Sequence, residues 1–264
     1  MSDTEDLGDH TDAVPAIPAA TVVIFRRDPH DGASQLLMVE RSAAMRFAGG
    51  AAVFPGGRID PADYELAARV GGALDPLDAA ARIAAIRETL EETGLVLGVS
   101  TRVTAGDAAA ARAMLLEHGA LAPVIEAFGW TLDLDALVPF ARWLPRHRNM
   151  KAFDTHFYLA DIGTGAVDIE VDATENRHLF WASAQQALDL AVEGRIRIIF
   201  PTRRNLERLA LYPTFQSCRD HALSTPLVTI TPHIVDRDGE PWLMIPDNAG
   251  YPYHGEPAAN VQRG

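Results

Sequence analysis

Apolar and polar positions along this chain follow two periods, and the change of period separates strands from helices. The runs ATVVIFRRD at 20–28 and QLLMVERS at 35–42 are short and rich in aliphatic and β-branched residues, and PHDGAS between them supplies turn formers. They predict a hairpin. GGAAVFPGGRID at 49–60 adds a short apolar strand that ends in Pro-Gly-Gly, where the backbone can turn sharply and approach a ligand closely. From Asp78 to Thr93 the period becomes helical: Ile83, Ile86 and Leu90 recur on one stripe, Asp75 and Pro76 offer a cap and first position, and Gly94 offers a stop.

Two short alanine-rich helices are expected within 104–129. Strands follow at 148–162 and 178–183, then a helix in AQQALDLAVEG and another from about Thr202 to Leu211. The segment LVTITPHIVDRDGEPWLMIP at 227–246 reads as two β-rich runs about an Asp-Gly turn. Strands and helices interleave without a strict βαβ repeat, which favours a mixed α/β or α+β fold over a doubly wound sheet. No linker divides 19–250, so one domain is expected, with a disordered acidic and Pro/Ala-rich tail over 1–18 and a loose end over 251–264.

Composition narrows the partners. The 264 residues are 48% hydrophobic, enough for a sizeable core, and 36 acidic against 23 basic residues give a formal charge of −13. That charge disfavours nucleic-acid and anionic membrane surfaces, and a phosphate-bearing ligand would need clustered Arg or a bound cation. Cys218 is the only cysteine, which excludes an intramolecular disulfide and a cysteine-based zinc site and suits a reducing interior. With neither a secretory signal pattern nor an 18-residue apolar run, a cytoplasmic location with no membrane partner is expected.

The unusual chemistry lies in AAIRETLEETGL at 84–95. Glu88, Glu91 and Glu92 share one flank of the helix at about 100° per residue, beside the apolar stripe, and no Lys follows at i+4 to neutralise them. Such a trio is either a solvated acidic face or a hard oxygen site for Mg²⁺ or Mn²⁺. Arg87 to Leu95 resembles the core of the Nudix box, R-E-U-x-E-E-x-G-U with U apolar, and FPGG at 54–57 looks like its usual approach. Thr89 departs from it, standing where an aliphatic residue is usual. Gly57 also lies 30 residues before Arg87 rather than 14, and Ala79 occupies the place of a further Glu eight before the Arg. The replacement suggested by the sequence is Asp75 or Asp78.

A second motif, R-S-x3-R-x3-G-x3-F-P-G-G, is matched by Arg41, Ser42, Arg46, Gly50, Phe54, Pro55, Gly56 and Gly57, and resembles the signature of Nudix hydrolases of coenzyme A. FDTHFYLA, ENRHLFWAS and FPTRRNLERL look like segments of the subgroup with a lengthened box, so the resemblance spans about 20–212. It implies an α/β/α sandwich with a mixed sheet, and insertions at 61–77 and 104–129 that line or cover the acyl end of a pocket. The implied reaction is hydrolysis of coenzyme A or acyl-CoA to 3′,5′-ADP and (acyl-)phosphopantetheine. Glu88, Glu91, Glu92 and the Gly57 carbonyl are the implied ligands of Mg²⁺ or Mn²⁺, Arg87 holds the carboxylates, and Glu88 or Glu175 takes the proton. Arg41, Ser42, Arg46 and Gly56 are the implied substrate contacts; two guanidinium groups suit a further phosphate.

Trp143, Phe153 and Trp181 are either core aromatics or an adenine sandwich, and His147 and His156 have no convincing ligand spacing. The expected partner is a small nucleoside-diphosphate of the coenzyme A type, with homodimer formation left open. Other Nudix specificities (NADH, ADP-ribose, capped RNA) and a non-catalytic Nudix-fold binding module are the alternatives; the presence of all three box glutamates argues against the module.

Overall fold

Val22, Val23, Ile24 and Phe25 form an unbroken apolar run because both faces of their strand are covered: Val22 and Ile24 enter one core cluster, Val23 and Phe25 another. The computed structural model describes residues 16–42, 48–145, 152–163 and 176–261, with Asn176 and Arg177 described by backbone alone. The first half of the chain contains β1 (Ile17–Arg27), β2 (Ser34–Arg41), β3 (Ala52–Val53), β4 (Gly56–Arg58), α1 (Pro61–Val70), α2 (Pro76–Thr93), α3 (Ala105–His118) and α4 (Leu121–Phe128). It continues through β5 (Val138–Trp143), β6 (Phe153–Asp161), β7 (Asn176–Ala182), α5 (Ala184–Val192), α6 (Phe200–Ala210), α7 (Phe215–Ser224), β8 (Thr229–Ile230), β9 (His233–Arg237), β10 (Glu240–Met244) and β11 (Gly255–Pro257).

Among the described residues, eight strands make one sheet in the order β3-β2-β1-β6-β5-β8, with β4 pairing β1 and β7 pairing β2. β1 with β6 and β5 with β8 are parallel and the other pairings are antiparallel, so the sheet is mixed. Helices α1 to α4 cover one face through Leu66, Ile83, Ile86, Leu115 and Val124. Helices α5 to α7 cover the other through Ala187, Leu206, Leu209, Cys218 and Ala222. This is the expected α/β/α arrangement. No helix among the described residues is long and apolar enough to cross a membrane.

Local physics sets the site's main helix. The Asp75 side chain accepts from the backbone N–H of Leu77 at 3.0 Å and of Asp78 at 3.2 Å, Pro76 occupies the first turn, and Gly94 ends α2 at φ +74°. Helix α2 therefore begins two residues earlier than its hydrophobic period suggests. Ala79 lies in its first turns, 1% exposed, with its Cβ 2.9 Å from where a side chain on Gly71 would start. A glutamate has no room there.

The segments expected as insertions are structural. The stretch 61–77 contains α1, and α3 and α4 bury Ala111, Leu115, Leu121, Val124 and Ile125 in the core that α2 shares. Two elements, β5 and α7, lack a sequence signal strong enough to single them out. The run at 227–230 joins the main sheet through β8, and the Asp-Gly turn instead links β9 to β10, with Asp238 at φ +54° and Gly239 at φ +85° as a two-residue hairpin requires.

The loose end expected from Tyr251 is not observed over the described part of that stretch. Tyr251 is 4% exposed, donates to Asn205 Oδ1 at 2.6 Å and accepts from Trp143 Nε1 at 3.0 Å, while β11 pairs with β10. A buried aromatic with a satisfied hydroxyl outweighs the Gly/Pro content around it. Tyr251→Ala is expected to cost about 3–5 kcal/mol in urea unfolding, and Tyr251→Phe about 1–3 kcal/mol because Trp143 and Asn205 lose a buried partner.

Candidate active site

The glutamates of α2 meet the Pro-Gly-Gly strand. Pro55 accepts from Val22 N at 3.0 Å, and Gly56, at φ +152°, lies so close to β1 that a Cβ would overlap the carbonyl of Ala20. At Gly57 a Cβ would overlap the carboxylate of Glu88. Both positions therefore need glycine: one to seat β4 on β1, the other to seat Glu88 on β4. Gly56 N donates to Glu92 Oε2 at 3.1 Å, so Glu88 and Glu92 are both held against the same two residues. Glu92 is 5% exposed. Glu91 is the most open of the three, with 36% of its side chain exposed.

Arg87 organises this cluster from beneath. Its Nη1 donates to Glu88 Oε1 at 2.9 Å and lies 3.6 Å from Glu91 Oε2, while Nη2 donates to the Arg58 carbonyl at 2.8 Å. Nε and Nη2 donate to the two oxygens of Asp63, each at 3.0 Å, and Asp60 Oδ2 stands 3.5 Å away. Burial works against the guanidinium charge, but the hydrogen bond to Asp63 and the fields of Glu88, Asp63 and Asp60 outweigh it and hold the group above the ordinary arginine value.

Asp63 is the residue that the sequence reading missed. Asp75 is spent on the helix cap, and Asp78 accepts from Arg82 Nε at 2.9 Å and from the Tyr158 hydroxyl at 2.7 Å, so the expected replacement by Asp75 or Asp78 is corrected to Asp63. Asp60-Pro61 followed by Asp63 is a legible helix start, since Asp63 closes a capping box onto the Asp60 backbone. Only the packing of α1 on α2 turns that carboxylate inward. Thr89 is tolerated in the apolar position because its hydroxyl donates to the Ala85 carbonyl at 2.7 Å inside the helix.

Arg41 ends β2 and Ser42 follows it; Arg41 N donates to Ala51 O at 3.0 Å and so ties the segment to the start of β3, which leads directly into Phe54 to Gly57. Arg41 Nε is buried and has no hydrogen-bond partner among the described residues. Arg46 and Glu175, like His147, lie outside the described residues. Trp143 is core, 1% exposed and edge-on to Phe200 and Tyr251, which removes it as an adenine contact. Trp181 carries the Arg26 guanidinium 4.1 Å above its ring, and Phe153 lies 6.0 Å from that of Arg58. His156 is pushed down by burial and then by Arg142. Burial pushes the Cys218 thiol up to about 12, which leaves it inert.

The donor set fits a hard divalent cation in its chemistry: three carboxylates and a glycine backbone, with Asp60 and Asp63 adding negative charge around a single buried Arg87. Among the described residues no three metal-binding side chains converge on one point, because Glu88 and Glu91 are turned toward Arg87. Gly57→Ala should displace Glu88 from β4. The expected outcome is a folded protein, checked by circular dichroism, whose Mn²⁺ affinity falls about tenfold or more.

The NUDIX domain model matches residues 16–112. A NUDIX hydrolase from Alicyclobacillus acidocaldarius is similar at 29% identity over 78% of this chain and 96% of that one, with a TM-score of 0.66. A Caenorhabditis elegans Ap4A hydrolase in a binary complex matches at 17% identity over 67% of this chain and 87% of its own, TM-score 0.37. The NUDIX domain of Shewanella oneidensis NrtR complexed with ADP ribose matches at 14% over 76% and 90%, TM-score 0.41. The matched segment contains β4, Arg87 and all three glutamates, so the chain carries, over residues 16–112, the NUDIX domain of the Nudix hydrolases, a family of pyrophosphatases.

Proposed function

We propose that this protein is a Mg²⁺- or Mn²⁺-dependent diphosphatase of coenzyme A or acyl-CoA, releasing 3′,5′-ADP and (acyl-)phosphopantetheine. The observation that carries the hydrolytic part is the seating of Glu88 and Glu92 on Gly56 and Gly57, beside an Arg87 that is locked from behind. The buried Nε of Arg41, without a hydrogen-bond partner among the described residues and at the end of β2, supports the choice of a substrate with an additional phosphate.

Glu88, Glu91, Glu92 and the Gly57 carbonyl would hold the cation, with Glu92 fixed by Gly56 and with Glu88 and Glu91 released from Arg87. A bound divalent ion neutralises the diphosphate and makes a water more acidic. Attack of water on one phosphorus would break the bond from that phosphorus to the bridging oxygen, which leaves on the other phosphate, and Glu88 or Glu175 would take the water's proton. Gly56 would meet the diphosphate beside Glu92, while Arg41, Ser42 and Arg46 would take the 3′-phosphate. Helices α1 and α3 keep α2 in place: Arg112 Nε donates to the Glu91 carbonyl at 2.9 Å, on the side of α2 that bears the glutamates.

With Mn²⁺, a substrate panel analysed by product mass should show 3′,5′-ADP released from coenzyme A species in preference to cleavage of NADH, ADP-ribose or capped RNA. Cleavage only of the others would remove the coenzyme A reading. Glu92→Gln should keep the fold and lose turnover by orders of magnitude. Arg41→Ala should weaken use of coenzyme A by about ten- to a hundredfold while changing 3′-dephospho-coenzyme A little, since a charge-assisted hydrogen bond contributes about 1.5–3 kcal/mol. Equal losses on both substrates would place Arg41 elsewhere.

A further inference from the structure

We infer that Asp63, on a helix outside the glutamate motif, is a positioning residue that supplies the lasting counter-charge of Arg87 and thereby sets how readily the glutamates release to a divalent cation. This rests on the metal-site reading above.

The geometry divides Arg87 into two edges. Nη1 faces Glu88 and Glu91, the carboxylates assigned to the cation. Nε and Nη2 face both oxygens of Asp63 in a bidentate fork. Asp63 is 1% exposed, and its Oδ2 also accepts from Asp60 N at 2.8 Å, so the start of α1 fixes its orientation. Arg87 is 3% exposed, so its donors are confined to the acceptors packed around it: Asp63, Glu88, Glu91, Asp60 and the Arg58 carbonyl.

A cation that draws Glu88 and Glu91 away strips one edge of a buried guanidinium. A buried charge left without a partner is strongly unfavourable, so loading is tolerable only because the second edge stays paired. Asp60 is a poor substitute, since it stands 3.5 Å away with 49% of its side chain exposed and its field is shared with solvent. Without the Asp63 charge, Glu88 would be the least exposed carboxylate left on Arg87, with the more open Glu91 and Asp60 beside it, and Arg87 would compete with the cation for the glutamate oxygens. Asp63 therefore converts Arg87 from competitor to scaffold.

The test titrates full-length protein with Mn²⁺ alone, without substrate, following free Mn²⁺ by electron paramagnetic resonance, with thermal unfolding of the metal-free protein alongside. Asp63→Asn should lower Mn²⁺ affinity about ten- to a hundredfold. Asp63→Glu, which keeps the charge, should restore most of it, and Asp60→Asn should stay within about twofold of wild type. Removing the competing cation as well, in the double variant D63N/R87M, should bring Mn²⁺ affinity back toward wild type even though turnover stays low. Equal Mn²⁺ affinity in wild type and D63N, whatever the loss in melting temperature, overturns the inference and leaves Asp63 a structural ion pair. Should D63N not fold, D63N/R87M carries the test: affinity near wild type supports the inference and a tenfold loss overturns it. Absence of Mn²⁺ binding by wild type instead overturns the metal-site reading, and the inference with it.

Discussion

The buried positive charge of Arg87 is the constraint around which the site is built. Its donors reach α1 through Asp63, β4 through the Arg58 carbonyl, and its own helix through Glu88. Each of these elements is short or irregular where it meets the arginine: β4 has three residues and two adjacent glycines, and α1 begins with a proline. The guanidinium gives them a common point of attachment, because it is planar, always charged and presents its donors in a fixed fork. The repulsion among the three glutamates then becomes tolerable, since the same cation screens two of them and the Gly56 amide holds the third.

The same device recurs at other junctions. Arg82 donates through Nη1 to the carbonyls of Leu134 and Leu137 at 2.7 and 2.9 Å, where the chain bends into β5. Arg112 holds the Glu91 carbonyl of α2 from α3, and Arg208 holds the Phe140 carbonyl of β5 from α6 at 2.9 Å. All four arginines are buried, and each satisfies a backbone acceptor on a different element from its own. A long side chain with a charged tip can pin irregular backbone that apolar packing alone would leave without hydrogen bonds. The second face of the sheet is closed in this way too: Arg208 lies 4.1 Å over the Phe140 ring and beside Tyr251, whose hydroxyl links Asn205 to Trp143.

The chain thus places its chemistry on one side of the sheet and its C-terminal closure on the other. The glutamates sit on a helix that spans the core from its Asp75 cap, near Tyr158 and Asp78, to the Gly56–Gly57 strand. Helices α1 and α3 flank it, so the stretches that interrupt and follow the motif serve to hold α2 as well as to extend the domain.

The sequence by itself determined the elements whose signals are local. The β1–β2 hairpin, the Asp75-Pro76 start and Gly94 stop of α2, and the glutamate flank beside Ile83, Ile86 and Leu90 all follow from turn chemistry and helical period, and each is present. What only the tertiary structure decided is which of several carboxylates serves Arg87 and which aromatics are core. Asp60, Asp63, Asp75 and Asp78 look alike as acidic residues near helix starts, and Trp143 looks like any strand tryptophan. Their fates differ because burial and partners come from α1 against α2 and from Tyr251 against β5, contacts between positions 24 and 108 apart in the chain. A linear pattern states which groups a segment offers; the packing of distant segments determines which of those groups are taken out of water and must therefore find one another.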